Sequence, residues 1–210
     1  MKEIKHPETP LETLKEIKKL MENSSRFLSL SGLAGVYAGI YALIGTFVVA
    51  YYFGIDLLKL KYQANYSENL LFLVSIAMCV LIASIGTGLY LSMNQARQRK
   101  LPFWNKTTSV WLESVLIPLI TGGLFCLIMI SHFYVKFVPG GTLIFYGLAV
   151  YQSSKHSYKE LKWLGIVEII LGLLATLFLN YSLVFWGIGF GIFHIIYGVM
   201  MYWKYERKIV

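Results

Sequence analysis

The chain has 210 residues, of which 57% are hydrophobic and only 14% are charged. Soluble domains carry about 25% charged residues, so this composition excludes an ordinary soluble globular protein. The formal net charge of +8 comes from lysines and arginines at the ends of apolar blocks. They would meet anionic lipid headgroups there, and this placement argues against nucleic-acid binding.

The N-terminal segment, residues 1–27, is polar and is predicted to be cytoplasmic. Thr9, Pro10 and Glu12 form a typical helix start, with a capping threonine and a capping-box glutamate. Apolar residues then recur at helical spacing at Leu11, Leu14, Ile17 and Met21. This pattern predicts a short amphipathic helix at the membrane surface; a solvated helical linker is the alternative.

Six apolar blocks follow, and each is predicted to be a transmembrane helix. They cover about 28–53, 69–93, 110–135, 138–152, 162–179 and 183–203. Crossing the hydrocarbon core takes about 20 helical residues, and the fourth block is the shortest. The sequence therefore predicts an all-α, polytopic bundle of six helices over residues 28–204, followed by a cytoplasmic tail at 205–210.

The charge of the connecting segments predicts the orientation. If all six blocks cross the membrane, 16 lysines and arginines lie on one side and 3 on the other. Basic segments stay in the cytoplasm, so both termini are predicted to be inside. Without the fourth span, the basic segment after it would share a side with Lys136, which supports counting this short block as a span.

The last two blocks carry the most informative residues. In each block, small residues and one ionisable residue fall on a single helix face. These faces are Gly165, Glu168, Gly172 and Ala175 in the fifth block, and Gly187, Gly191, His194 and Gly198 in the sixth. Small residues drive close helix packing in lipid, and the short turn at 180–182 predicts that the two helices are antiparallel neighbours.

Pairing the two faces about that turn places Glu168 level with His194. It also places Gly165 opposite Gly198 and Gly172 opposite Gly191. A glutamate without a partner inside hydrocarbon costs several kcal/mol, so we expect the glutamate and histidine to touch. Two roles remain open for this candidate buried polar pair: a structural clasp, and a proton-binding or ligand-binding site.

The first two blocks show a similar pattern of small residues, which predicts that they pack on each other. The first block carries Ser31, Gly35, Ala38, Ala42 and Gly45, and the second carries Ala77, Ser84, Gly88 and Ser92. The likeness between this hairpin and the last one is compatible with an internal duplication.

Glu113 in the third block is a secondary candidate. It lies about one turn inside the block, so its side chain is long enough to reach the cytoplasmic interface. Farther along, Pro118 and the pair at 122–123 have two readings: a simple kink, or a broken helix of the kind that forms transporter binding sites.

The expected partners are the lipid bilayer and its anionic headgroups, which Arg97, Arg99 and Lys100 would contact. Docking of a partner is the alternative role for this basic segment, and a second copy of the chain or another membrane protein is a further candidate partner of the protein. The two cysteines, Cys79 and Cys126, fall inside apolar blocks and form no metal or redox spacing. Common phosphate, dinucleotide and zinc motifs are missing, so we expect no cofactor and no catalytic residues.

Three stretches of the sequence, at 90–97, 117–123 and 191–198, resemble uncharacterised small bacterial membrane proteins with six spans. They read Tyr-Leu-Ser-Met-Asn-Gln-Ala-Arg, Ile-Pro-Leu-Ile-Thr-Gly-Gly and Gly-Ile-Phe-His-Ile-Ile-Tyr-Gly. The resemblance implies a bacterial inner membrane and no particular activity, and it transfers no functional residue.

The sequence therefore predicts an integral inner-membrane protein with a structural or regulatory role. The alternative is a small transporter or channel, proton-linked, that uses Glu168 and His194. An intramembrane lipid-modifying enzyme is the third hypothesis and the least favoured, because such enzymes cluster nucleophiles, carboxylates or metal ligands.

Overall fold

A computed structural model describes residues 30–54, 69–99 and 104–207 of the chain. Over these residues the protein is all-helical, with six helices. They are α1 (Gly32–Tyr52), α2 (Leu70–Gln98), α3 (Lys106–Ser131), α4 (Val138–Ser153), α5 (Leu161–Leu177) and α6 (Leu179–Glu206). Each coincides with one of the six predicted apolar blocks, which confirms the all-helical class. The amphipathic helix predicted within residues 1–27 lies outside the described residues.

Four of the helices, α1, α2, α3 and α6, are long and apolar enough to cross a membrane. The other two are shorter, with 16 residues in α4 and 17 in α5. At 1.5 Å per residue they extend about 24–26 Å. Short 3₁₀ turns, Val135–Phe137 and Ser154–His156, extend α4 at its two ends.

The helix α6 is a composite. A 3₁₀ turn opens it, and the α-helical pieces Ser182–Trp186 and His194–Met201 are separated by a π-helical segment, Gly187–Phe193. A second π-helical turn, Tyr202–Glu206, ends it. Wider π turns change which residues share a face and often occur at functional sites. Here the first of them leads directly into His194.

Most helices pack on their neighbours in the chain. α1 packs on α2, α3 on α4, and α4 on α5. The beginning of α6 contacts α4 and α5, whereas its π-helical and C-terminal parts pack on α1. α3 remains a continuous helix through Pro118, so the alternative of a broken helix at this position is wrong.

Four segments of the chain meet at one end of the bundle. They are the beginning of α1, the end of α2, the α4–α5 connection and the end of α6. Arg99 at the end of α2 donates hydrogen bonds to the Tyr158 hydroxyl in the α4–α5 connection (3.1 Å) and to the Tyr205 carbonyl near the end of α6 (3.0 Å). The Glu206 carboxylate accepts a hydrogen bond from the Gly32 N–H, the first of α1. We call this the basic end, and Lys155, Lys159, Lys162, Lys204 and Arg207 also belong to it.

Two pairs of helices approach each other through glycines spaced seven residues apart. In the α4–α5 seam, a Cβ on Gly172 would lie 2.9 Å from the Gly140 carbonyl oxygen, and one on Gly165 would lie 2.7 Å from that of Gly147. In the α1–α6 seam, a Cβ on Gly198 would lie 2.6 Å from the Gly32 carbonyl oxygen. Likewise, a Cβ on Gly39 would lie 2.6 Å from the carbonyl oxygen of Gly191. Only glycine permits these backbone contacts.

These seams correct the predicted pairing of glycines between α5 and α6. Gly165 and Gly172 pack on α4, and Gly191 and Gly198 pack on α1. The predicted contacts of Gly165 with Gly198 and of Gly172 with Gly191 are therefore wrong. In the chain, α5 lies between α4 and α6. Its glycines, Gly165 and Gly172, face α4.

The predicted contact between the small residues of the first block and those of the second also needs correction. Gly35 lies against α6, where its Cβ would be 3.3 Å from the Gly198 Cα. α1 meets α2 through larger apolar side chains such as Val80, which lies beside Gly45. In the described part of the chain, no atom of another helix lies within 4 Å of a Cβ on Gly88, and Ala77 is exposed. Ala77 and Gly88 therefore form no part of the predicted matching face, although α1 and α2 do pack on each other.

Candidate functional site

The structure brings together the predicted pair of residues, Glu168 on α5 and His194 on α6. Nδ1 of His194 lies 3.2 Å from Oε1 of Glu168, and both side chains are buried, with 0% exposure for the whole glutamate residue. Glu168 follows the seam residue Gly165 by three positions, and His194 follows Gly191 by the same spacing. Each seam therefore contributes one member of the pair.

A third helix completes the cluster. The Nε2 atom of His194 lies 2.8 Å from the hydroxyl oxygen of Tyr146 on α4, and Nδ1 also lies 3.1 Å from the Gly189 carbonyl oxygen. A neutral imidazole with its proton on Nδ1 donates toward Gly189 and accepts from Tyr146. Residues from α4, α5 and α6 thus meet at one ring.

Gly189 makes room for the carboxylate. A Cβ at this position would lie 2.6 Å from Oε2 of Glu168 and 2.6 Å from Cδ2 of Leu143. Gly189 belongs to the π-helical segment of α6. The widened turn and the missing side chain together allow Glu168 to fit against the α6 backbone.

Aromatic rings close one side of the cluster. The Phe190 ring stacks on His194, with centroids 5.6 Å apart, and contacts Tyr146 at 4.9 Å. Trp186 contacts Phe190 at 5.1 Å and donates a hydrogen bond from Nε1 to Oγ1 of Thr142 (3.2 Å). These rings keep the polar atoms in an apolar surrounding, which strengthens electrostatic interactions among them.

The carboxylate of Glu168 lacks hydrogen-bond partners in the described part of the chain. Among the described residues, neither of its carboxylate oxygens has a hydrogen-bond partner. The approach of Nδ1 to Oε1 meets the distance of an ion pair but not the direction of a hydrogen bond. Because a buried carboxylate is costly without donors, this carboxyl group is the most chemically unusual feature of the described structure.

The basic end holds a second polar cluster. The Glu160 carboxylate accepts hydrogen bonds from the Tyr205 hydroxyl (2.9 Å) and from Lys204. Burial opposes the ionisation of Glu160. The hydrogen bonds from Lys204, from its own backbone and from Tyr205 outweigh that effect and hold its pKa below the ordinary value. Burial also raises the pKa of Tyr158, despite the nearby Arg99. This cluster ties the α4–α5 connection to α6.

The remaining predicted residues lie apart from the pair. Glu113 is exposed on α3. Arg97 is exposed, Arg99 makes the contacts described above, and Lys100 lies outside the described residues. Cys79 is exposed and Cys126 is buried. In the part of the chain that the structure describes, no three His, Cys, Asp or Glu side chains cluster in a way that suits a metal ion.

Sequence reasoning did not identify Tyr146 or Gly189. A tyrosine in the middle of an apolar block is a usable signal, because tyrosines in membrane helices concentrate at the interfaces. Gly189 gave no comparable signal, since it lies between two glycines and its role depends on the π-helical turn.

Searches against protein-family models, curated proteins and solved structures find no match to this chain. The resemblance to small six-span bacterial proteins therefore stays a prediction.

Proposed function

We propose that this chain is an integral membrane protein that crosses the bilayer six times, with both ends in the cytoplasm. The observation that carries the proposal is that every helix exposes large apolar side chains. One example from each helix, in order, is Phe47, Ile82, Ile120, Leu148, Leu173 and Ile196. Soluble monomers rarely expose apolar patches larger than a few hundred Å², whereas lipid solvates such a surface.

The contacts at the basic end support six spans. The beginning of α1, the ends of α2 and α6, and the α4–α5 connection meet there. Successive helices therefore alternate in direction, which supports a crossing by α4 and α5 as well. Their short length is compatible with crossing, because the 3₁₀ turns lengthen α4 and a bilayer thins locally around short spans.

Charge supports the orientation. Among the described residues, Lys136 is the only lysine or arginine at the end opposite the basic end. The positive-inside rule assigns the basic end to the cytoplasm. Together with the resemblance, this favours the inner membrane of a bacterium.

Within the bilayer, we propose a structural or regulatory role for the bundle. Glu168, His194 and Tyr146 connect α4, α5 and α6 in its interior. Polar contacts of this kind hold membrane helices in one arrangement. The bundle would present its apolar outer helices, α2 and α3, to lipid or to a membrane partner.

Cysteine labelling tests the topology. In a background with Cys79 and Cys126 replaced by serine, single cysteines at Lys155 or Arg207 should resist an impermeant thiol reagent in intact cells. Cysteines at Lys136 or Tyr181 should react, and permeabilised cells serve as the control for reactivity. Labelling at Lys155 from outside would contradict six spans.

A second candidate function, proton-linked transport, is favoured by the incompletely satisfied Glu168 carboxyl group. Intramembrane ionisable residues commonly mark proton or ion pathways. In vesicles containing a pH-sensitive dye, transport predicts a proton flux that Glu168→Gln abolishes and Glu113→Gln retains. No flux under any imposed gradient would leave the structural role.

A further inference from the structure

The Glu168 carboxyl group lies where nothing in the described structure compensates it with a hydrogen bond. It is completely buried, its oxygens have no hydrogen-bond donor among the described residues, and the His194 Nδ1 atom lies 3.2 Å from Oε1. Burying a carboxyl group without hydrogen-bond partners costs free energy. A proton shared with the adjacent imidazole removes that penalty without any further group.

We propose that Glu168 and His194 form a buried proton-binding site, and that protons reach it from the basic end along four tyrosines. The route begins at Tyr158 and Tyr205, continues through Tyr197, and ends at Tyr146. It gives the site access to one side of the membrane. The inference rests on the membrane-spanning arrangement proposed above, but it does not require transport.

The positions of the tyrosines carry the route. Tyr146 contacts His194 directly. Tyr146, Tyr197 and Tyr205 all pack against one buried group that contains Tyr158.

The other end of the route reaches the surface at the basic end. The Tyr158 and Tyr205 rings lie 4.5 Å apart, and the Tyr205 hydroxyl donates to Glu160, which is partly exposed. Hydroxyl groups pass protons through direct or water-bridged hydrogen bonds. The tyrosines thus extend from a carboxylate at the surface to a carboxyl group in the interior.

The groups that face Glu168 are few. On α6 the facing group is His194, and on α4 it is Tyr146. α1, which packs on α6, carries no acidic or basic residue. The charges of α5 itself, such as Lys162, lie near the basic end. The imidazole is therefore the only basic group beside the carboxylate among the described residues.

Proton uptake by this route balances in three transfers. The Nδ1 proton of His194 moves to Oε1 of Glu168, and Nε2 takes the hydroxyl proton of Tyr146. In the third transfer the Tyr197 hydroxyl reprotonates the Tyr146 oxygen, and Tyr197 regains its proton from water at the basic end by way of Tyr158 or Tyr205. The net change is one proton gained by the carboxylate, with the imidazole and the phenol neutral before and after.

Infrared spectroscopy of the protein in lipid tests the binding site. We expect a protonated-carboxyl C=O band that grows as the pH falls, disappears in Glu168→Gln and remains in Glu113→Gln. Glu168→Asp, which keeps a carboxyl group, should shift the band and not remove it. A spectrum without a band assigned to Glu168 at any pH would overturn the proposal. So would a band removed by sodium at constant pH, since that would indicate a cation site.

The rate of proton exchange tests the route. After a pH jump, Tyr146→Phe and Tyr197→Phe should slow the change of the Glu168 band by about tenfold or more, which corresponds to about 1.4 kcal/mol in the barrier. The exposed Tyr37→Phe is the matched control and should leave the rate unchanged. Unchanged rates in both route variants would overturn the route.

The two proposals fail separately. A Glu168 band without any vesicle flux establishes proton binding and excludes proton-linked transport. Correct topology labelling without a Glu168 band keeps the membrane bundle and removes the proton site.

Discussion

The α1–α6 seam and the α4–α5 seam are built in the same way but connect different parts of the chain. Each uses two glycines, seven residues apart, on both helices, and each pair is antiparallel. The α4–α5 seam closes a hairpin of two short helices, whereas the α1–α6 seam joins the first and last helices. Close packing is therefore a local property of the glycines, and it does not depend on which elements are adjacent in sequence.

Within each seam, the two helices differ in the residue three positions after the first glycine. On α5 and α6 the residue three positions later is ionisable, Glu168 or His194. On α1 and α4 it is Gly35 or Leu143. The two ionisable residues meet between the seams. The glycines thus fix how closely helices approach, and the polar pair fixes how the two seams are placed against each other.

The largest expected effect comes from filling a seam. Gly172→Leu and Gly198→Leu should each lower the free energy of unfolding by about 3 kcal/mol, because a side chain would collide with the backbone of the facing helix. Gly123→Leu is the matched control, since a Cβ there meets nothing within 4 Å, and it should change stability by less than about 0.5 kcal/mol. Chemical denaturation in detergent gives all three values. Tolerance of leucine in one seam would show that the two seams are not equivalent.

A smaller effect is expected from removing the charge of Glu206, which lies beside the beginning of α1 in the α1–α6 seam. Glu206 accepts from Ser31 and from the first N–H of α1, where a carboxylate also faces the positive end of the helix dipole. Glu206→Gln should cost about 1 kcal/mol. Hydrogen exchange should then increase at the beginning of α1 and remain unchanged across α4 and α5. Equal loosening of both seams would contradict this division.

The smallest effect concerns pH at the basic end. The folded-state pKa of Glu160 is below its ordinary value of 4.5. Its ionisation therefore stabilises the fold above that value, and the contribution is lost as the pH falls through the folded-state pKa. Glu160→Gln should flatten the acid side of the stability profile, and Glu113→Gln, on an exposed residue, should not. Identical acid profiles for wild type and Glu160→Gln would show that this tie to α6 contributes nothing.

Much of the fold could be predicted because long apolar blocks have few alternatives to a helix in a membrane. The contact of Glu168 with His194 could be predicted for a related reason. Each is the only ionisable residue deep inside its block, so each has a single candidate partner. Burial of unpaired ionisable groups is costly, and this cost specifies the partner.

The glycine pairing could not be predicted, because glycine stripes are interchangeable. The glycines of α5 have the same spacing as those of α4 and can also be aligned with those of α6. The sequence alone therefore does not tell which of the two helices they pack on. The sequence predicts that the first and last hairpins resemble each other. In the structure, the two parts that resemble each other are the α4–α5 seam and the α1–α6 seam. Arg99 and Glu206 were also beyond sequence reasoning, since their partners lie on distant parts of the chain.

A double-mutant cycle on Glu168 and His194 tests most directly whether this pair joins the two seams. The free energy of unfolding is measured for wild type, Glu168→Gln, His194→Phe and the double variant. We predict that each single change destabilises the protein and that the double change costs less than their sum, with a coupling of about 0.5–1.7 kcal/mol. Strictly additive costs would mean that the two side chains do not interact, and the bridge between the seams would then have to lie elsewhere.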